Sequence, residues 1–124
     1  MVAPKIKMKA ILHKEFGGPE VLEVANDVEI PQIEKHEVLI QVHAAGINRP
    51  DILQRSGGYP PPPGASEILG LEVSGEIVDV GEDVNKNLLN TKVCALVSGG
   101  GYAEFVKCHT CLLYTSDAAD ERRR

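Results

Sequence analysis

The chain has 124 residues, of which 43% are hydrophobic and 25% charged, so it has the size of one domain that can bury a core. The net charge is -5, and three of the 13 basic residues are the terminal arginines, which excludes a basic groove for nucleic acid. There is no apolar run of about 20 residues and no signal-peptide pattern, and three cysteines are too few for the disulfide framework of a secreted module. We therefore expect a cytosolic protein that binds neither nucleic acid nor a membrane.

Short apolar runs separated by Gly, Pro and Asn predict a mainly β chain. The clearest strand is 37–46, in which Val38, Ile40 and Val42 alternate with other residues. The remaining predicted strands span 9–13, 21–24, 72–80, 92–97 and 102–106. Since no long helices alternate with these strands, the pattern favours a barrel or a sandwich over a parallel sheet.

A short helix is predicted over residues 49–54, directly after the clearest strand. Pro50 is tolerated in its first turn, and Asn48 can cap the free amides. The segment 56–66 then carries three glycines and four prolines, so it can neither continue the helix nor pair as an inner strand. We expect an ordered loop or a lid there, with a plain connector as the alternative.

Residues 111–124, CLLYTSDAADERRR, break the pattern of the preceding chain. They resemble a translated adapter from a sequencing library. We therefore expect a natural domain over residues 1–110 and a non-native tail over 111–124, with the junction defined only to within a few residues. On this interpretation the natural gene continues past His109.

Four segments occur in an order and spacing that indicate a family. They are FGGPEVLE (16–23), EVLIQVHAAGINRPDILQRSGGYPPPPG (37–64), ILGLEVSGEIVDVG (68–81) and GGGYAEFV (99–106). Together they resemble the zinc-independent, zeta-crystallin-like quinone oxidoreductases of the medium-chain dehydrogenase/reductase superfamily. The resemblance covers nearly all of residues 7–110. It implies a mainly β, GroES-like, partly open barrel with short helices, and a homodimeric parent enzyme whose Rossmann nucleotide-binding domain is missing here by truncation.

The resemblance also implies chemistry without zinc. Metal-bearing relatives hold zinc with Cys and His in the segments where this chain has Asn48 and Leu71. An amide and an aliphatic side chain cannot replace a thiolate and an imidazole on zinc, so no metal site is expected. The expected reaction is hydride or electron transfer from NADPH to a quinone or an enone.

By resemblance, Asn48 donates a hydrogen bond to a substrate carbonyl or to the nicotinamide ribose, and its structural alternative is the helix cap. Tyr59 corresponds to a cleft tyrosine that stacks on a flat quinone ring, and its alternative is a loop anchor. Asp51 is a second cofactor-binding candidate, although an exposed ion pair with Arg55, four residues later, explains both side chains. Glu72 is expected to order the loop or to pair with a base.

Two alternatives to this function stay open. One is an enoyl reductase or a zinc-type alcohol reductase of the same superfamily, and bound zinc would identify the latter. The other is a GroES-like structural or binding barrel without catalysis. A co-chaperone needs a mobile loop. The four prolines after Tyr59 fix the backbone of the loop in which they lie, which argues against a barrel without catalysis. If the chain comes from a quinone oxidoreductase, the isolated domain is expected to depend on the missing nucleotide-binding domain for catalysis.

Overall fold

The computed structural model describes residues 7–115, which form two antiparallel sheets. The first is a ribbon of β1 (Lys7–His13) and β2 (Leu22–Glu29). The second has the strand order β6-β3-β4-β5-β7. Its strands are β3 (Glu37–Ala45), β4 (Glu72–Val80), β5 (Lys92–Leu96), β6 (Phe105–His109) and β7 (Leu113–Thr115). Helix α1 (Arg49–Ser56) follows β3, so the predicted mainly β class with short helices is confirmed.

The strand β3 contributes to two hydrophobic cores because its residues alternate between the two faces of the sheet. Val38 and Ile40 are 0% exposed and belong to the main core. The main core comprises Val38, Ile40, Val73, Ile77, Val84, Val93, Ala95, Val97, Val106 and Cys108. Leu39 instead packs on a smaller core of Met8, Ala10 and Phe105 beneath the ribbon. Each fully buried Val or Ile contributes about 1.5–3 kcal/mol.

The pairing of β3 with β4 is interrupted twice, between Leu39 and Ile40 and between Val42 and Ala44. Such bulges bend a strand and increase its twist, which lets the sheet curl instead of lying flat. The curled sheet ends at β6 on one side and at β7 on the other within the described residues. This geometry is that of a partly open barrel.

Helix α1 is two residues longer than predicted and ends at a glycine. Gly57 has φ 96°, in the left-handed region, and its N–H donates to the carbonyl of Gln54 at 3.1 Å. The N–H of Gly58 donates to the carbonyl of Leu53 at 2.8 Å. These bonds satisfy carbonyls at the end of the helix, which explains why the helix stops before the proline-rich loop.

The predicted strand 102–106 is displaced, since β6 begins at Phe105. Tyr102 leaves the strand because its N–H donates to the carbonyl of Leu69 at 2.9 Å, while its own carbonyl accepts from Ile11 at 2.9 Å. Gly70 and Gly101 lie so close that a Cβ on Gly70 would be 2.8 Å from the Cα of Gly101. The glycine turn is therefore packed against the loop that contains Gly70, and for this reason the strand begins only at Phe105.

Residues 111–115 of the predicted tail lie in the described part of the chain, and residues 116–124 lie outside it. Leu113 pairs with Ala95 and Tyr114 pairs with Cys94, so β7 extends the edge of the sheet. Leu113 also packs, partly buried, on the main core. The foreign origin of the tail stays a prediction.

Cys94, Cys108 and Cys111 are all free thiols, and of these only Cys108 is buried. Burial raises the pKa of the Cys108 thiol to about 11, with smaller contributions from Cys111 and Glu37. Its thiol therefore stays protonated at neutral pH and behaves as a small core residue.

Candidate functional site

Asn48 occupies the turn between β3 and α1, at the N-cap position that the sequence predicts. Its backbone is extended, with φ -129° and ψ 158°, and Pro50 lies in the first turn of the helix. The backbone N–H of Asn48 donates to Oδ2 of Asp51 at 2.9 Å, as in one half of a capping box, whereas the Asn48 side chain makes no cap hydrogen bond in the described residues. The helix start therefore fixes the backbone of Asn48 and leaves the residue half-buried.

The side chain of Asn48 has a partner on the neighbouring strand. Its Nδ2 donates to Oε1 of Glu72, the first residue of β4, at 3.1 Å. The N–H of Gly46 donates to the backbone carbonyl of Glu72 at 3.1 Å, which joins the ends of the two strands. The sequence predicts that Glu72 orders the loop or pairs with a base, whereas in the structure its carboxylate accepts a hydrogen bond from Asn48.

Asp51 is 3% exposed, so its carboxylate lies inside the protein. The hydroxyl of Tyr102 donates to Oδ2 of Asp51 at 2.6 Å, while Oδ1 has no hydrogen-bond partner among the described residues. Burial of Tyr102, and then its hydrogen bond to Asp51 and the negative charge of Asp51, raise the pKa of the phenol far above its ordinary value of 10.0. Tyr102 therefore remains a protonated donor at neutral pH.

The predicted exposed ion pair between Asp51 and Arg55 is wrong. Asp51 is buried and bound by Tyr102, and Nε of Arg55 donates instead to the carbonyl of Gly17 at 3.1 Å. Helical spacing brings the two side chains to one face, but each finds a tertiary partner there. The pair therefore does not account for Asp51.

Tyr59 lies apart from this network. It is 42% exposed on the proline-rich loop, and it makes no hydrogen bond or aromatic ring contact with any residue of the range 7–115. The structure thus joins Asn48, Asp51 and Glu72 by hydrogen bonds but leaves Tyr59 outside. Within residues 7–115, no hydrogen bond of the kind expected of a loop anchor holds its hydroxyl.

Sequence reasoning missed Tyr102 as a site residue, although the segment GGGYAEFV contributed to the resemblance. Tyr102 and Asp51 are 51 positions apart, and no local pattern links them. A tyrosine directly after three glycines was the available signal, because glycines allow a close approach of the backbone to its neighbours. The three glycines indicate that the backbone before Tyr102 is closely packed, but they do not indicate that Asp51 is the partner of Tyr102.

A groove of about 660 Å³ lies between the ribbon, α1 and the Tyr102 turn. Its lining residues are Ile11, Leu22, Glu23, Val24, Ala45, Ile47, Asp51, Ile52, Arg55, Leu69 and Tyr102. Asn48 and Tyr59 are not among them. Two apolar side chains of the groove are largely exposed, Ile47 at 79% and Val24 at 63%. The groove has the size and the apolar character of a small-molecule pocket.

Within residues 7–115, no three His, Cys, Asp or Glu side chains lie together in a way that could hold a metal ion. Likewise, no helix in this range has the length and apolar character needed to cross a membrane. Independence from zinc stays a prediction based on Asn48 and Leu71.

Comparison with known proteins gives consistent matches. The alcohol dehydrogenase GroES-like domain family matches residues 34–118. The quinone oxidoreductase of Mus musculus is 43% identical over 99 residues, which is 79% of this chain and 30% of that protein. The structure of the quinone oxidoreductase from Coxiella burnetii superposes with a TM-score of 0.77 at 32% identity, covering 90% of this chain and 37% of that one. The structure of a mycobacterial protein complexed with NADPH also superposes with a TM-score of 0.77 at 32% identity, covering 90% of this chain and 33% of that one.

These matches confirm the GroES-like fold that the resemblance implied. The chain spans 30% of the length of the mouse relative. The two structures just described exceed 25% identity, so they resemble this chain in sequence as well as in fold. The chain belongs to the alcohol dehydrogenase GroES-like domain family, and its relatives include the quinone oxidoreductases of the medium-chain dehydrogenase/reductase superfamily.

Proposed function

We propose that this chain is the substrate-side domain of an NADPH-dependent quinone oxidoreductase. The observation that carries the proposal is the fixed amide of Asn48 between β3 and α1. Its backbone is bound by Asp51 and its side chain by Glu72. An Asn amide has two N–H donors, and one of them is engaged by Glu72. The other is left to donate to a ligand.

The remaining N–H of Asn48 suits a carbonyl oxygen on which negative charge develops. NADPH, when bound, supplies the hydride, and it would be held mainly by a nucleotide-binding domain outside residues 1–110. As the quinone accepts the hydride, its oxygen gains negative charge, and a donor that is already oriented stabilises that charge without reorganising. The same N–H fits a ribose hydroxyl of the cofactor.

Asp51 and Tyr59 take different parts in the proposed reaction. Asp51 is 3% exposed and lines the groove, and its proposed part is to fix the backbone of Asn48. Tyr59 is exposed, so its ring is available to stack on the flat face of a quinone.

The proposed reaction does not use zinc, which follows from the chemistry of Asn48 and Leu71. In addition, the Asn48 side chain is already bound to Glu72. A tightly bound zinc ion in each subunit, measured by metal analysis of the purified protein, would overturn this part of the proposal. It would favour a zinc-type alcohol reductase.

The proposal also places the protein in the cytosol as part of a homodimeric enzyme acting on small carbonyl compounds. The net charge of -5 supports the exclusion of nucleic acid as a partner. The exposed Tyr59 ring suits a flat neutral molecule.

A chimera tests the function directly. Residues 7–110 would replace the corresponding domain of the mouse quinone oxidoreductase, and NADPH oxidation would be followed with quinones and with enones. We expect turnover with quinones and a loss of about tenfold or more in the chimera carrying Asn48→Ala. A folded chimera that is inert with every quinone would overturn the proposal, and turnover with enones alone would identify an enoyl reductase.

A further inference from the structure

We propose that Glu72 is a positioning residue that orients the Asn48 amide and selects neutral carbonyl ligands over anionic ones. This inference rests on the proposed function. The structure shows the contact on which it depends, the hydrogen bond of 3.1 Å from Nδ2 of Asn48 to Oε1 of Glu72. The two residues are 24 positions apart, so the pairing of β3 with β4 creates the contact.

A carboxylate fixes the direction of the amide because it can only accept hydrogen bonds. The amide of an Asn has a broad, roughly two-fold torsion, and its oxygen and nitrogen ends have nearly the same shape. Glu72 selects the orientation in which the NH2 group of Asn48 faces β4. Without Glu72 the backbone of Asn48 would still be bound by Asp51, but its amide would lose this constraint.

Gly46 provides the space that Glu72 occupies. A Cβ on Gly46 would overlap the carboxylate of Glu72 and would lie 2.7 Å from its Cδ and Cγ. Gly46 is not among the glycines with positive φ, so the reason for glycine here is space and not backbone conformation. Any larger residue at position 46 would push the Glu72 side chain away from Asn48.

The arrangement has a consequence for the ligand. The second N–H of Asn48 attracts an oxygen acceptor, while the nearby Glu72 carboxylate repels negative charge. A neutral quinone or enone carbonyl satisfies both conditions, because the charge that develops on its oxygen during hydride transfer lies next to the Asn48 N–H and farther from the Glu72 carboxylate. A ligand with a carboxylate or a sulfonate close to its reacting carbonyl meets the repulsion. Glu72 is thus a determinant of substrate charge as well as of Asn48 geometry.

The orientation can be tested on this chain without any activity, by NMR of the Asn48 side-chain amide. We expect one Nδ2 proton of Asn48 to resonate downfield because it is bound to a carboxylate. Glu72→Ala and Gly46→Ala should both remove this downfield shift, and Glu72→Gln, which offers an amide oxygen, should restore part of it. An unchanged signal in both Glu72→Ala and Gly46→Ala would overturn the proposal.

Two control variants match these changes. Glu76→Ala removes another carboxylate from the same face of β4. Gly58→Ala adds a Cβ that would lie 3.7 Å from the carbonyl oxygen of Leu53, which is ordinary van der Waals contact. Neither should move the Asn48 signal. A shift in the controls as large as in Glu72→Ala would show a general effect of substitution and would also overturn the proposal.

The charge selection is tested in the chimera with a neutral quinone and its sulfonated derivative. We expect Glu72→Ala to lower kcat for the neutral quinone about tenfold. Glu72→Gln should restore most of that rate, and it should raise the preference for the sulfonated quinone about fivefold. Equal preferences in Glu72→Gln and the parent would overturn the selection. An inactive parent chimera would overturn the proposed function, whereas the NMR result would still decide the orientation.

Discussion

The helix start (residues 46–51) and the proline loop (residues 57–67) carry the two side chains that we expect to meet the substrate, and they hold them in opposite ways. At the helix start, Asn48 is bound by Asp51 and Glu72. In the proline loop, the hydrogen bonds are local, such as that from Ala65 to the carbonyl of Pro62 at 3.0 Å. Tyr59 is 42% exposed and has no hydrogen bond within residues 7–115.

The proposed substrate contacts thus differ in how tightly the protein holds them. Asn48 is fixed by Asp51 in the first turn of α1 and by Glu72 on β4, as a donor to a developing charge requires. Tyr59 has no hydrogen bond among residues 7–115, and the four prolines that follow it restrict the backbone of its loop. A stacking ring tolerates this freedom, since flat ligands differ in size and offset.

Replacement of Asp51 should break the helix start most severely. Asp51→Ala leaves the N–H of Asn48 and the hydroxyl of Tyr102 without their shared acceptor, and we expect a loss of about 3 kcal/mol in the free energy of unfolding. Urea unfolding followed by circular dichroism measures it. Glu67→Ala, in the proline loop, is the control and should change stability by less than about 0.5 kcal/mol. Equal losses in the two variants would contradict the comparison.

Removal of the Tyr102 hydroxyl should have a smaller effect. Tyr102→Phe keeps the ring and deletes one hydrogen bond, and it leaves the bond from Asn48 to Asp51 in place. We expect a loss of about 1 kcal/mol in the same unfolding assay at pH 8. A gain in stability would show that the orphaned oxygen of Asp51 makes this polar pair unfavourable.

Alkaline pH should act through the same tyrosine. Folding raises the pKa of Tyr102 above 10.0, so the folded state keeps the phenol proton that the unfolded chain releases first. The resulting stabilisation is fully present below pH 10 and is lost as the pH rises towards the folded pKa. We expect the wild-type protein to lose more stability than Tyr102→Phe between pH 9 and 11. Parallel pH profiles would contradict this assignment.

The sequence predicts those features that depend on neighbouring residues. The alternation at Val38 and Ile40 predicts β3, and Asn48 with Pro50 predicts where α1 begins, because caps and strand faces are local properties. The bond from Tyr102 to Asp51 depends instead on where the glycine turn lies after folding. The same is true of Arg55, whose helical spacing predicts Asp51 as partner, whereas the carbonyl of Gly17 binds it.

The family resemblance identifies residues of the site but does not predict the contact that Glu72 makes. The resemblance picks out Asn48 and Leu71, and Glu72 follows directly, but it leaves the function of that carboxylate undefined. Only the pairing of β3 with β4 brings it within 3.1 Å of the Asn48 amide. Residue identity thus predicts the chemistry available at the site, and the strand register determines which groups meet.

Replacement of Tyr59 should have the smallest effect on stability and so gives the sharpest test of the comparison. Tyr59→Ala removes a side chain that is 42% exposed and has no hydrogen bond in the described residues, so we expect a change of less than about 0.5 kcal/mol in the free energy of unfolding. In the chimera the same variant should raise KM for the quinone about tenfold, whereas Tyr59→Phe keeps the stacking ring and should stay close to the parent. If Tyr59→Ala unfolds the domain, the tyrosine is a loop anchor, and the proline loop is held by tertiary contacts just as the helix start is. If Tyr59→Phe loses as much affinity as Tyr59→Ala, the hydroxyl and not the ring binds the quinone.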